Sequence, residues 1–366
     1  MRGNIIARVA ISVVSLALGA GLLIAMPFLV GVGWEQILSE FARLSLLEWG
    51  VLTALWLSSL WAYSYVLVGS LPGLTPLRGV VVSGVGSAVS NLLPFGGAAV
   101  GVPVTFAMAR IWGHDNRSIT TFVLVSGIWN NLSRLLLPVA GIVCLLATGR
   151  VVSDGFATAA STAGLTLAGA AALLIAGLWR EGAARALGKC AAVVVKVVPE
   201  RRRPSRDKVV ASFVGLRLSI LDVVRRGWLT MTAGMLGFLA LQAALFHACL
   251  WATGVEVGFA ETIAAFALGR LLSTVTITPS GSGVSEAGTV LLMTATFGTA
   301  PAATSAAVLL FWFFTYLIEI PFGGVVFTVW TWSRRRRGES TSLALHEKAL
   351  EPAVPDTPRP QDAARS

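Results

Sequence analysis

Four ionisable residues stand inside otherwise apolar runs: Arg134, Arg270, Glu286 and Glu319. A charge at the centre of a membrane helix costs about 2.5–3.5 kcal/mol on insertion scales, so each must face a partner or a polar cavity. Their formal charges cancel. Two readings are open. In one, two buried ion pairs fasten helices together. In the other, the arginines hold an anionic group, and Glu286 and Glu319 carry a coupling proton. Phosphate suits arginine because the planar guanidinium donates two hydrogen bonds at once.

Neighbouring residues extend this polar set. Gly127, Asn130 and Arg134 share one helical face, and Asn131 is adjacent. Arg270, Thr274 and Thr278 recur at intervals of four. Trp312, Tyr316, Glu319 and Gly323 form a third stripe, which reads equally well as an aromatic packing face. Two tips rich in helix breakers accompany the stripes, Pro94-Phe95-Gly96-Gly97 and Pro279-Ser280-Gly281-Ser282-Gly283. Free backbone N–H groups at such tips, and the helix start after the second one, favour an anion. The expected substrate-binding set is therefore Asn130, Asn131, Arg134, Arg270, Pro94, Gly96, Gly97, Pro279, Ser280, Gly281, Ser282 and Gly283. Glu286, in the first turn after its tip, also fits a plain helix-capping role.

The same residues exclude other chemistries. No G-x-x-x-x-G-K-[ST] occurs, nor any G-x-G-x-x-G after a strand, so no nucleotide loop is expected. The three cysteines and three histidines are scattered along the chain, which argues against a metal centre or a disulfide framework. No cofactor and no catalytic residue are expected.

The elements that must position these residues are membrane helices. Of 366 residues, 55% are hydrophobic and 13% charged, with a mean hydropathy of +0.77. Soluble domains carry about 25% charged residues. The fold class is an all-α polytopic membrane protein. Apolar runs of at least about 20 residues can span, and they occur near 9–32, 49–69, 117–148, 152–179, 228–253 and 301–332. These make about six full spans. Two further stretches are broken helical hairpins, 80–93 with 98–111 and 259–278 with 284–297. Residues 34–47 form a short amphipathic helix for the interface.

Basic residues set the orientation. Residues 180–226 hold twelve Lys and Arg against four acids. Twenty-four of the 28 Lys and Arg fall on one side when the broken stretches are read as hairpins. That asymmetry predicts both termini in the cytoplasm. Contact with anionic lipid explains the basic loop, and nucleic acid is not an expected partner. Residues 1–335 form the membrane domain, with halves at 49–148 and 228–332. Residues 338–366 read as a disordered cytoplasmic tail.

The halves are related by a shift of 185 residues. It superposes Gly69 on Gly254, Gly73 on Gly258, Gly84 on Gly269, Pro94 on Pro279, Gly96 on Gly281, Met108 on Met293 and Gly113 on Gly298. Chance in a glycine-rich chain is the plain alternative. Six of the seven identities, however, are helix breakers. Three full spans between the hairpins would place them on opposite sides, the pattern of an inverted repeat whose broken segments meet near the midplane. The same shift places Arg134 on Glu319.

The stretch Thr278-Pro279-Ser280-Gly281-Ser282-Gly283-Val284-Ser285-Glu286-Ala287 resembles a signature of the flippase-like membrane domain of lysylphosphatidylglycerol synthases and their stand-alone relatives. Ser90-Asn91-Leu92-Leu93-Pro94-Phe95-Gly96-Gly97 resembles a second signature of that family. The resemblance covers roughly residues 5–335. It implies an integral domain of the bacterial inner membrane that moves lipids between leaflets. It also maps the family's glycine-rich tip to Pro279, Gly281 and Gly283, and its acidic residue to Glu286. Ser282 and Ser285 depart from the family's paired glycines and basic residue. Nothing after Arg337 is long enough for the soluble aminoacyl-transfer domain. The expected function is transport of an anionic phospholipid or polyprenyl-phosphate-type lipid, with membrane lipids as partners. Two alternatives stand beside it, a non-catalytic partner of envelope lipid synthesis proteins and a polyprenyl-dependent glycosyltransferase.

Overall fold

A computed structural model describes residues 33–92, 97–147, 206–273 and 283–335 of the chain, with a few isolated positions elsewhere. The expected spans at 9–32 and 152–179 and the tail at 338–366 lie outside the described residues, as does the basic loop before Arg206. The described elements are all helical.

The interfacial helix is α1 (Trp34–Ala42), and α2 (Leu46–Ser70) is the first described span. Ser45 starts α2 with a reciprocal cap. Its Oγ accepts from the Glu48 N–H at 3.3 Å, and the Glu48 carboxylate accepts from the Ser45 N–H at 2.6 Å. The first broken stretch folds as α3 (Pro76–Leu92) and α4 (Gly97–Ile111), followed by the long α5 (Asn116–Ala147). The second half begins with α6 (Arg206–Ala252) and breaks into α7 (Phe259–Leu272) and α8 (Val284–Phe297). It ends with α9 (Pro301–Trp312), a π-helical turn at Phe313–Leu317, and α10 (Glu319–Arg335).

Among the described residues, four helical segments are long and apolar enough to cross a membrane: Leu46–Ser70, Asn116–Cys144, Val214–Ala252 and Pro301–Arg334. Their outward faces carry large apolar side chains such as Leu57, Trp61, Leu136, Leu236, Val325 and Trp332, all exposed. Water would penalise that surface, whereas lipid tails accept it. One boundary differs from the sequence reading. Helix α6 starts at Arg206 rather than near 228, because apolar residues at helical spacing continue the helix through the basic stretch. The span expected over 301–332 is present as Pro301–Arg334, with the π turn inside it.

Apolar surface gains little by leaving lipid, so helices here associate through close backbone approach. Helices α2 and α6 form the most extensive pair. A Cβ on Gly227 would strike the backbone of Gly69. Helix α3 lies along α10, and a Cβ on Gly323 would strike the Gly84 carbonyl and the Ala88 side chain. Helix α7 lies along α5, where a Cβ on Gly141 would come within 3.1 Å of the Ala267 side chain. A long helix, two short arms and a further long segment thus occur twice in chain order. The first arm of each hairpin packs on the long segment that follows the other hairpin. Gly113 and Gly298, related by the 185-residue shift, both follow a second arm and both have positive φ, 91° and 68°.

Candidate functional site

The helices line a partly open cavity of about 290 Å³. Arg134 reaches it from the middle of α5, and Asn130 lies one turn earlier. Arg270 comes from the last turn of α7, Glu286 from the first turn of α8, and Glu319 from the start of α10. All five residues, separated by up to 189 positions in the chain, line this one space.

The remaining residues of the expected set fall elsewhere. Asn131 is exposed and donates to the Gly127 carbonyl of its own helix at 2.9 Å, so it does not serve the cavity. It is one position from Asn130, about 100° around the helix. Gly97 opens α4, and Gly283 precedes α8. Pro94, Gly96, Pro279, Ser280, Gly281 and Ser282 lie outside the described residues, as do Thr274 and Thr278.

The arginines bear on the choice between ion pairs and an anion site. Arg43 pairs with Glu40 and Arg226 with Asp222 along their own helices, and among the described residues no ion pair involves Arg134 or Arg270. Both arginine Nε atoms are buried without a hydrogen-bond partner among the described residues. The Arg270 guanidinium lies 5.7 Å from the centre of the Phe238 ring, a cation–π contact. Two cations thus face one cavity with no carboxylate in ion-pair contact.

The carboxylates are held differently. Glu286 is buried and caps its own helix. It accepts from the Gly283 N–H and from Ser285 Oγ, the latter at 2.8 Å. Gly283 makes that cap with φ at 88°, a left-handed conformation that favours glycine. The capping role is therefore present, in a residue that also lines the cavity. Glu319 accepts from Asn91 Nδ2 at 3.3 Å. The same amide reaches the Tyr316 carbonyl at 3.3 Å, and the Tyr316 hydroxyl donates to the Asn91 carbonyl at 2.9 Å. The end of α3, just before the first tip, is thereby latched to the π turn. A π turn accommodates an extra residue and changes the direction of the side chains around it. Across this one the Trp312 and Tyr316 rings stack, with centres 5.4 Å apart and planes 16° from parallel. Trp312, Tyr316 and Glu319 line the cavity together. Gly323, the fourth member of the expected stripe, instead packs against α3.

Sequence reasoning did not select Tyr63 of α2. Its hydroxyl accepts from Asn130 Nδ2 at 2.7 Å inside the cavity wall. The available signal was a tyrosine hydroxyl deep in an apolar span, which needs a partner. Asn91 appeared in a motif but not as a site residue. Ser83, Ser87 and Thr289 also line the cavity, and their spacing carries no signal because such residues often only bond their own helix.

Long apolar helices around a buried polar cavity define a polytopic membrane protein with an internal polar site. Residues 5–323 match the family described as Lysylphosphatidylglycerol synthase TM region, and the chain belongs to that family. A comparison with curated proteins returns no match.

Proposed function

We propose that this protein moves an anionic, phosphate-bearing lipid between the leaflets of a bacterial inner membrane. The observation that carries the reading is the convergence of Arg134 and Arg270 on one cavity without a carboxylate in ion-pair contact among the described residues. Buried charge is costly in a membrane protein, and a phosphate that docks between two guanidiniums offsets that cost with charge-assisted hydrogen bonds. Membership of the family supports a transport role. The chain then acts without forming or breaking covalent bonds.

In this reading the two halves are inverted repeats, both termini are cytoplasmic, and residues 1–335 work as one membrane domain with a cytoplasmic tail. The recurring element order supports that arrangement. The tips at 94–97 and 279–283 contribute backbone donors to the phosphate. Glu319 balances the arginines between substrates or takes up a proton during the cycle. Glu286 caps the helix that follows the second tip and, with Glu319, is the candidate carrier of a coupling proton.

The test is movement of a fluorescent anionic phospholipid in proteoliposomes. The wild type is expected to equilibrate it between leaflets. Arg134→Leu is expected to abolish movement while the protein still reconstitutes as a folded species. Full movement by the double variant Arg134→Leu/Arg270→Leu would refute the assignment.

A further inference from the structure

Building on the phosphate-lipid reading, we propose that the group attached to the phosphate is an uncharged, hydroxyl-rich ring, a saccharide or cyclitol, and that Trp312 and Tyr316 form its platform. The cavity that receives Arg134 and Arg270 is also lined by this stacked pair. Tyr316 lies within the π turn and stacks on Trp312, so the pair brings aromatic ring surface to the cavity next to its cationic end. A pyranose or cyclitol ring has an apolar face of C–H bonds and a rim of hydroxyls. The weakly positive C–H bonds suit the negative face of an aromatic ring. The hydroxyl rim needs neutral polar partners, and Ser83, Ser87, Thr289, Asn91 and Asn130 line the same wall, although the Thr289 hydroxyl and both amide nitrogens already donate within the protein.

The carboxylates bear on the choice of headgroup as well. An aminoacylated headgroup carries an ammonium, which wants an available carboxylate. Each Glu286 oxygen accepts one hydrogen bond, from Gly283 or Ser285, which satisfies it only in part. Glu319 Oε2 is held by Asn91. The ammonium would also share about 290 Å³ with two guanidiniums. That volume lies at the lower end of ligand cavities, which run from about 300 to 1,000 Å³. It suits a phosphate with one small ring and leaves the acyl chains outside.

The test measures binding of four probes to the purified full chain in phosphatidylcholine nanodiscs. The probes are phosphatidylinositol, phosphatidate, lysylphosphatidylglycerol and added phosphatidylcholine. Phosphatidylinositol is expected to bind about tenfold tighter than phosphatidate, the increment of one good aromatic contact. Lysylphosphatidylglycerol is expected to bind more weakly than phosphatidate. Trp312→Leu should lower phosphatidylinositol binding more than phosphatidate binding and so remove most of the difference between them. The wild-type ranking decides the matter even if that variant does not fold. Equal binding of phosphatidylinositol and phosphatidate, or tightest binding of lysylphosphatidylglycerol, would overturn the ring assignment and leave the phosphate site standing. No preference for phosphatidylinositol or phosphatidate, which are anionic, over the zwitterionic phosphatidylcholine of the disc, with no change on replacing both arginines, would overturn the phosphate reading together with it.

Discussion

Replacing Arg270 with leucine separates a binding role from a structural one, because the two make opposite demands on this residue. Breaking a buried ion pair by removing one partner typically costs about 3–5 kcal/mol. Arg270 has no carboxylate in ion-pair contact among the described residues, and its buried Nε has no hydrogen-bond partner there. Its closest favourable contact is the Phe238 ring at 5.7 Å, worth about 0.5–2 kcal/mol, and Glu319 attracts it from beyond ion-pair distance. Leucine relieves the burial of a polar atom, which offsets part of that loss. The net change in stability should therefore stay within about 1 kcal/mol of zero. Ligand affinity should change far more. Each charge-assisted hydrogen bond is worth about 1.5–3 kcal/mol. A bidentate contact to phosphate then supplies about 3–6 kcal/mol, a loss of roughly 10²- to 10⁴-fold in affinity when it is removed. Thermal unfolding in detergent and phosphatidate binding, measured on the same preparation, read both quantities. Arg270→Lys keeps the charge without the planar fork and should fall between the two. A large drop in unfolding temperature with unchanged phosphatidate binding would refute the reasoning and return Arg270 to a structural role.

Two further outcomes test the frame around the cavity. Gly323→Val should lower folded yield by an overpacking cost of about 1–3 kcal/mol or more, because its added atoms strike Gly84 and Ala88; Gly324→Val, with nothing within 4 Å, should not, and equal yields would contradict the close α3–α10 contact. Cysteines placed at positions 203 and 336 should react only with a reagent applied to the cytoplasmic face and one at position 40 only from the opposite face, so labelling of 203 and 40 from the same side would end the inverted-repeat proposal.

What the sequence determined by itself was one-dimensional. Apolar runs long enough for a bilayer located α2, α5 and the core of α6 within a few residues, because hydrocarbon thickness dictates length. Helix breakers located both hairpins, since proline and glycine act on the backbone at their own positions. Arg134, Arg270, Glu286 and Glu319 stood out because charge in an apolar run is costly wherever it lies. Their arrangement was a different matter. The 185-residue shift aligned Arg134 with Glu319, yet Glu319 takes its hydrogen bond from Asn91, 228 residues away. Asn130 rather than Asn131 turns to the cavity, and its partner Tyr63 lies on another helix. The π turn that stacks Trp312 on Tyr316 also parts them from Gly323, although all three share a stripe in the sequence. Periodicity and local propensity assign a residue to a helix and to a face of it. Which faces meet is decided by where two backbones can approach closely. Each such pairing is worth only a kcal/mol or so between residues far apart in the chain, and no local spacing records it.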